Sequence, residues 1–349
     1  MKSRLNYIDA LRGLTMVSVV MVHVLTRSFG LSATDTGLAV IRATFTLPLF
    51  FFVSGFFAFR PLADFTRGRV RRSLTTRLFA LLLGTMVFDT LFYCINRRPD
   101  PFVWINGDFD AYWYTFSLLQ IYVYFLLIVG ISRLCRSRRL FWSLMTLTVI
   151  GLYIASCFIK PTEWHYFWWL NPKTAQYFQF FALGCAVRNW QSPFFRFLER
   201  PWMLTLLIVV YTLSTLFHYF NGKDILDYSQ ILWHLNFDVL ARYSGLLLVL
   251  RIFYCHREAF DADTRLMRAW RLIGRRTLDI YFLHYLLLPK MRWVGPYLAH
   301  GNTLILELGA SLIVALFVIA LCLALSKLLR AAPLLRLLLG EKVDIYKHI

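Results

Sequence analysis

Acidic residues are scarce in this chain of 349: 19 Asp and Glu stand against 38 Lys and Arg, and charged residues of both signs make up only 16% of the total. So little charge, beside 58% hydrophobic residues, excludes an ordinary soluble domain of this size. Cysteine is sparse too, and the six present (Cys94, Cys135, Cys157, Cys185, Cys255 and Cys322) are scattered, with no Cys-x-x-Cys pair and no His at ligand spacing. That pattern excludes a disulfide framework and a structural zinc site, so no metal is expected. Internal repeats, coiled-coil heptads, low-complexity tracts and a separate soluble domain are also missing. The chain reads as one transmembrane unit over residues 1–349.

What the chain has instead is long apolar runs. Segments long enough to cross about 30 Å of hydrocarbon lie at roughly 7–27, 38–59, 77–96, 111–131, 140–159, 174–190, 202–220, 233–254, 272–289 and 303–326. The expected fold is therefore all-α, a polytopic membrane bundle of about ten transmembrane helices. The first run follows a short basic start, as a signal peptide would. It is long, however, and lacks a small-residue cleavage site, so it is expected to stay as a span.

A net charge of +19 suggests nucleic acid, but the Lys and Arg cluster in short links between apolar runs. Counted by link, 27 of the 38 fall on one side of the membrane and 8 on the other, with Arg12, Arg42 and Arg242 inside runs. This asymmetry predicts cytoplasmic termini, an even number of spans and a multi-pass protein of the cell inner (plasma) membrane, with membrane lipid and not nucleic acid as surroundings. The opposite links, 97–110, 160–173 and 289–302, are rich in Trp, Tyr, Phe, Pro and Asp. They read either as an interfacial aromatic belt or as a rim where aromatic faces stack on sugar rings.

Polar groups inside the runs are costly in lipid and mark functional candidates. Arg12 and His23 are eleven steps apart in the first run, which on a helix makes three turns plus about 20° and a rise of roughly 16 Å, so both share one face. Asp89, His284, Glu307 and Arg42 lie in other runs, and His234, Asp238 and Arg242 follow i, i+4, i+8 spacing as one stripe. These groups are expected to face a common polar cavity on the side opposite the termini. The plainer readings are that Asp238 and Arg242 neutralise each other and that His284 makes an interhelical hydrogen bond. A histidine near its usual pKa of about 6.5 offers a neutral nitrogen that can take a hydroxyl proton or accept an acyl group itself.

Three segments together resemble the acyltransferase 3 family of membrane acyltransferases: IDALRGLTMVSVVMVH at 8–23, LPLFFFVSGFFAF at 47–59 with Pro48 and Ser54-Gly55, and IGRRTLDIYFLHYLLLP at 273–289. The middle runs match only in hydropathy and in YWYTFSLLQIYVYFLLI at 112–128. The resemblance implies transfer of an acyl group, usually acetyl, from cytoplasmic acetyl-CoA (an acyl-CoA) to a hydroxyl of a carbohydrate or glycolipid, with no permanently bound cofactor. It implies His23 as general base or acyl carrier and Arg12 as a donor-holding group, with His284, in the third segment, as a further catalytic candidate. Family members often carry an Arg-x2-Arg pair before the third span; here Arg69 and Arg72 have that spacing while Arg77 stands at the span entrance. Where some members carry a carboxylate in the fourth span, this chain has Leu118, Leu119 and Gln120.

CoA carries several phosphate charges, and Arg offers forked, permanently charged donors for them. Arg69, Arg72, Arg77 and Arg275 are the expected donor-binding residues, with positive-inside residues facing anionic lipid as the plain alternative. With CoA confined to the cytoplasm, its pantetheine arm is expected to thread from the Arg-rich side toward His23, and the acceptor to approach from the aromatic rim. The alternative from another class is a transporter of a small polar substrate or glycolipid using the same buried groups, although no inverted repeat is visible. A third reading keeps the enzyme and changes the acceptor to an amine or the acyl group to succinyl.

Overall fold

The computed structural model describes residues 5–31, 37–96, 111–158, 171–221, 235–299 and 304–339. All regular secondary structure among them is helical. In chain order the α-helices are α1 (Asn6–His23), α2 (Gly37–Ala58), α3 (Arg67–Ile95), α4 (Trp113–Leu134), α5 (Arg138–Phe158), α6 (Pro172–Asn189), α7 (Gln191–Leu198), α8 (Pro201–Asn221), α9 (Arg242–Cys255), α10 (Arg265–Arg275), α11 (Thr277–Leu287), α12 (Gly295–Ala299), α13 (Leu304–Leu329) and α14 (Pro333–Leu338). Two wider π-helical turns adjoin them: Val24–Ser28 extends α1, and Leu235–Ala241 leads into α9.

Local signals explain several boundaries. Arg136 adopts φ of 48° after α4, and the Ser137 amide returns to the Ser132 carbonyl at 3.0 Å, a left-handed helix ending. Ser137 then caps α5 by accepting from the Leu140 amide at 3.1 Å. Pro172 and Pro201 open α6 and α8, where a missing amide hydrogen costs nothing. Thr264 caps α10 through the Met267 amide at 3.2 Å. α7 and α8 meet at a bend of 76°, where Arg251 donates to the exposed carbonyls of Glu199 and Arg200, each at 3.2 Å.

Among the described residues, four helices are long and apolar enough to cross a membrane: Asn6–Ser28, Trp113–Leu134, Arg138–Cys157 and Leu304–Leu329. They coincide with four of the expected spans. The surface of α13 is greasy, with Ile305 83%, Ile313 71% and Phe317 60% exposed, which suits lipid and not water. Other expected spans take a different form. α3 starts at Arg67, ten residues before the expected run, so its basic first turns precede a shorter apolar part, Leu81–Ile95. The run expected at 272–289 breaks at Arg276, whose φ and ψ of −106° and 20° separate α10 from α11. At 11 residues α11 rises only about 16 Å, half of a bilayer core.

The chain divides into two compact units, each discontinuous in sequence. The first comprises Met1–Val53 and Trp190–Ala324. Its centre is α1, which packs along α10 and touches α9, α11 and the turn Arg257–Asp261. The α1–α10 contact is backbone on backbone: a Cβ on Gly13 would lie 2.7 Å from the Trp270 carbonyl oxygen. The second comprises Ser54–Asn189 and Leu325–Ile349. There α3, α4, α5 and α6 surround a core of Phe125, Phe141, Phe178 and Phe181, all 1% exposed or less.

Candidate active site

The first unit brings the two ends of the Arg12–His23 pair onto one neighbouring helix. Arg12 Nη2 donates to Thr277 Oγ1 at 2.6 Å, at the first residue of α11. Eleven residues farther along α1, His23 meets Tyr285 near the end of α11, with the Tyr285 hydroxyl 3.1 Å from His23 Nε2 and 3.3 Å from Nδ1. Two contacts in the same order mean that α1 and α11 run parallel. Beyond His23 the pairing continues: the Met291 amide donates to the Ser28 carbonyl at 3.0 Å. A Cβ on Gly295 would sit 2.4 Å from the Phe29 carbonyl oxygen, so only glycine lets these strands of chain approach.

His23, His284 and Tyr285 form one ring cluster. The His23 centroid is 5.2 Å from that of His284 and 4.6 Å from that of Tyr285, and the last two are 4.3 Å apart. His23 is half-buried, while His284 has no exposed surface. His284 Nδ1 lies 3.0 Å from the Ile280 carbonyl and 2.8 Å from the Tyr281 carbonyl. Carbonyls only accept, so Nδ1 carries the hydrogen and Nε2 bears the lone pair. That Nε2 is buried with no partner among the described residues, which costs about 1–3 kcal/mol unless something donates to it. The cluster thus holds one imidazole with its proton committed to the backbone and another, His23, with one phenol hydroxyl within 3.3 Å of each ring nitrogen.

Such an arrangement suits proton transfer or nucleophilic attack by His23, and the π turn that begins at Val24 sits directly after it. Wide turns of this kind recur at functional positions in helices.

Of the other predicted donor-binding residues, Arg275 lies in the first unit at the end of α10, exposed, with its Nε donating to the Arg271 carbonyl at 3.2 Å. Arg69, Arg72 and Arg77 lie on α3 in the second unit, and their side chains fall outside the described residues. Among the acceptor-side candidates, Arg242 is 6% exposed with its guanidinium 4.9 Å from the Phe237 ring centroid. Glu307 is 8% exposed on α13, and its Oε2 has no partner among the described residues. Asp89 is fully buried on α3, in the second unit. His234 and the side chains of Arg42 and Asp238 lie outside the described residues, so the predicted Asp238–Arg242 pair falls there too. Asp238 stands in the π-helical turn Leu235–Ala241, directly before Arg242 opens α9.

The two remaining sequence features are explained by packing within the second unit. A Cβ on Gly55 would lie 2.0 Å from the Phe181 carbonyl oxygen, and Cys185 Sγ donates to the Gly55 carbonyl at 3.4 Å, so the Ser54-Gly55 step is where α2 and α6 touch. Gln120 Oε1 accepts from the Asn171 amide at 3.1 Å and from Thr174 Oγ1 at 2.5 Å. The amide at this position therefore caps the start of α6.

Tyr285 was not among the residues singled out by sequence. Its only signal is adjacency to His284 in a segment already crowded with aromatics.

A family model described as an acyltransferase domain matches residues 5–327, nearly the whole chain, and the chain belongs to this acyltransferase 3 family. No curated protein and no solved structure matches it. Family membership makes the protein a membrane acyltransferase and sets aside the transporter alternative.

Proposed function

We propose that this acyltransferase takes an acyl group, acetyl in the first instance, from cytoplasmic acyl-CoA and passes it to a hydroxyl of an extracytoplasmic carbohydrate or glycolipid. In this reading residues 1–349 act as one catalytic unit crossing the cell inner membrane about ten times, with both termini cytoplasmic. The reading rests on one observation: Arg12 and His23 lie on one membrane-crossing helix, the first held at the start of α11 and the second against Tyr285 near its end.

In the direct version, neutral His23 removes the proton of the acceptor hydroxyl as that oxygen attacks the thioester carbonyl carbon. The new C–O bond forms, the C–S bond breaks, and the imidazolium returns its proton to the leaving thiolate. In the two-step version the imidazole nitrogen attacks first, thiol leaves, and the acceptor hydroxyl then displaces the imidazole. Arg12 holds a negatively charged part of the donor, with Arg69, Arg72, Arg77 and Arg275 adding charge for the CoA phosphates. Arg42, Asp89, His234, Asp238, Arg242 and Glu307 belong to the acceptor side.

Membrane vesicles containing the protein test the direction of transfer. With radiolabelled acetyl-CoA supplied to inside-out vesicles, the label is expected as an alkali-labile ester on carbohydrate within the lumen. Label confined to molecules on the outer, cytoplasmic face of those vesicles would contradict the reading.

A further inference from the structure

Resting on that reading of His23, we infer that Tyr285 is a positioning residue for it, acting through its hydroxyl and not through its ring. The phenol oxygen is within reach of both imidazole nitrogens, 3.1 Å from Nε2 and 3.3 Å from Nδ1. A hydroxyl both donates and accepts, so it serves one imidazole nitrogen at a time, donating to it when bare and accepting from it when it carries hydrogen. It therefore supports the neutral ring in either tautomer and the imidazolium formed during transfer. A carbonyl or an ammonium in the same place would serve only one of these states.

The neighbourhood keeps the phenol in place. Tyr285 is 9% exposed, its ring is 4.3 Å from the His284 centroid, and His284 is itself pinned by its Nδ1–H to the carbonyls of Ile280 and Tyr281. Because that proton is committed, His284 contributes shape and an acceptor, and hydrogen bonding to His23 falls to the Tyr285 hydroxyl. In the transfer step the hydroxyl proton of the acceptor passes to one nitrogen of His23 and from there to the thiolate. Tyr285 neither gains nor loses a proton over the cycle; its oxygen accepts from the other N–H of the imidazolium while the charge lasts. The arrangement follows the general logic of a base oriented by a third group.

Tyr285→Phe removes the hydroxyl and keeps the ring, so the test is made on the full chain in nanodiscs with nitrogen-15-labelled histidine. The His23 ring nitrogens, assigned by comparison with His23→Gln, are expected to shift by several ppm in Tyr285→Phe, with the exposed His256 unchanged. Turnover number for acetyl-CoA is expected to fall on the order of tenfold with little change in KM, the loss of one hydrogen bond in the transition state. If Tyr285→Phe does not fold, 3-fluorotyrosine at 285, which acidifies the hydroxyl and keeps the shape, is expected to move the same two nitrogens. Unmoved His23 nitrogens overturn the inference whatever the turnover. Moved nitrogens in a protein whose wild type does not turn over acetyl-CoA leave the Tyr285 role standing and overturn the functional reading instead.

Discussion

A Cβ built on Gly274 would lie 1.7 Å from the carbonyl oxygen of Asp9, so the backbones of α10 and α1 are in direct contact at that point. Both residues belong to the segments that first suggested function, yet this contact is mechanical. α10 ends one residue later at Arg275, and Thr277 then begins α11 and receives Arg12. Gly274→Ala forces the helices apart because a backbone carbonyl cannot rotate away. The expected cost is at least about 2 kcal/mol, together with a raised KM for acyl-CoA. Thermal unfolding of the purified variant at an unchanged temperature would contradict this packing.

The glycine at 55 makes the same argument in the second unit, with a sharper control. Gly55→Ala would drive a Cβ to 2.0 Å from the Phe181 carbonyl oxygen, whereas Gly151, on α5, has no atom within 4 Å of such a Cβ. Gly55→Ala is expected to lower the melting temperature by several degrees. Gly151→Ala is expected to leave it unchanged or raise it, since alanine is the better helix former by about 1 kcal/mol. Equal effects of the two substitutions would mean that α2 and α6 do not touch there.

If Arg12 holds the donor as proposed, its substitution separates donor binding from chemistry. Arg12→Ala is expected to raise KM for acetyl-CoA about tenfold with a smaller change in turnover number, as expected when an interaction common to ground and transition states is lost. Thr277→Val, which removes the hydroxyl that Arg12 Nη2 holds at 2.6 Å, is expected to move KM in the same direction by less. A normal donor KM in Arg12→Ala, with an altered acceptor KM, would reverse the assignment.

His284 and His23 are adjacent but unequal. With Nδ1 tied to two backbone carbonyls, His284 cannot hand a proton through its ring, so His284→Phe is expected to retain clearly more turnover than His23→Ala. Side-by-side measurement of both turnover numbers checks this, and equal losses would make His284 a second catalytic histidine.

The Arg12–His23 pair was legible in sequence because eleven steps of a 3.6-residue helix return to the same face, a purely local regularity. Four spans were legible for the same kind of reason, long uninterrupted hydropathy. The break at Arg276 was not, because no proline stands there and Gly274, two residues earlier, is equally compatible with a continuous helix. At the break Arg276 pairs locally with Asp279 at 3.6 Å, and the tertiary contact beside it is the burial of Gly274 against α1. The π turns at Val24–Ser28 and Leu235–Ala241 leave no compositional mark, so hydropathy and spacing alone do not reveal them. Tyr285 escaped because the segment IYFLHYLLL offers several aromatics, and only the parallel packing of α11 on α1 selects the one whose hydroxyl reaches His23.

Acetyl-CoA turnover by purified wild type and His23→Ala shows whether His23 carries out the proposed acyl transfer. Thioester turnover in His23→Ala is expected to fall by about 10²–10⁴, the usual contribution of a positioned base, while the protein remains folded and still binds CoA. Turnover at the wild-type rate in the folded variant would contradict it.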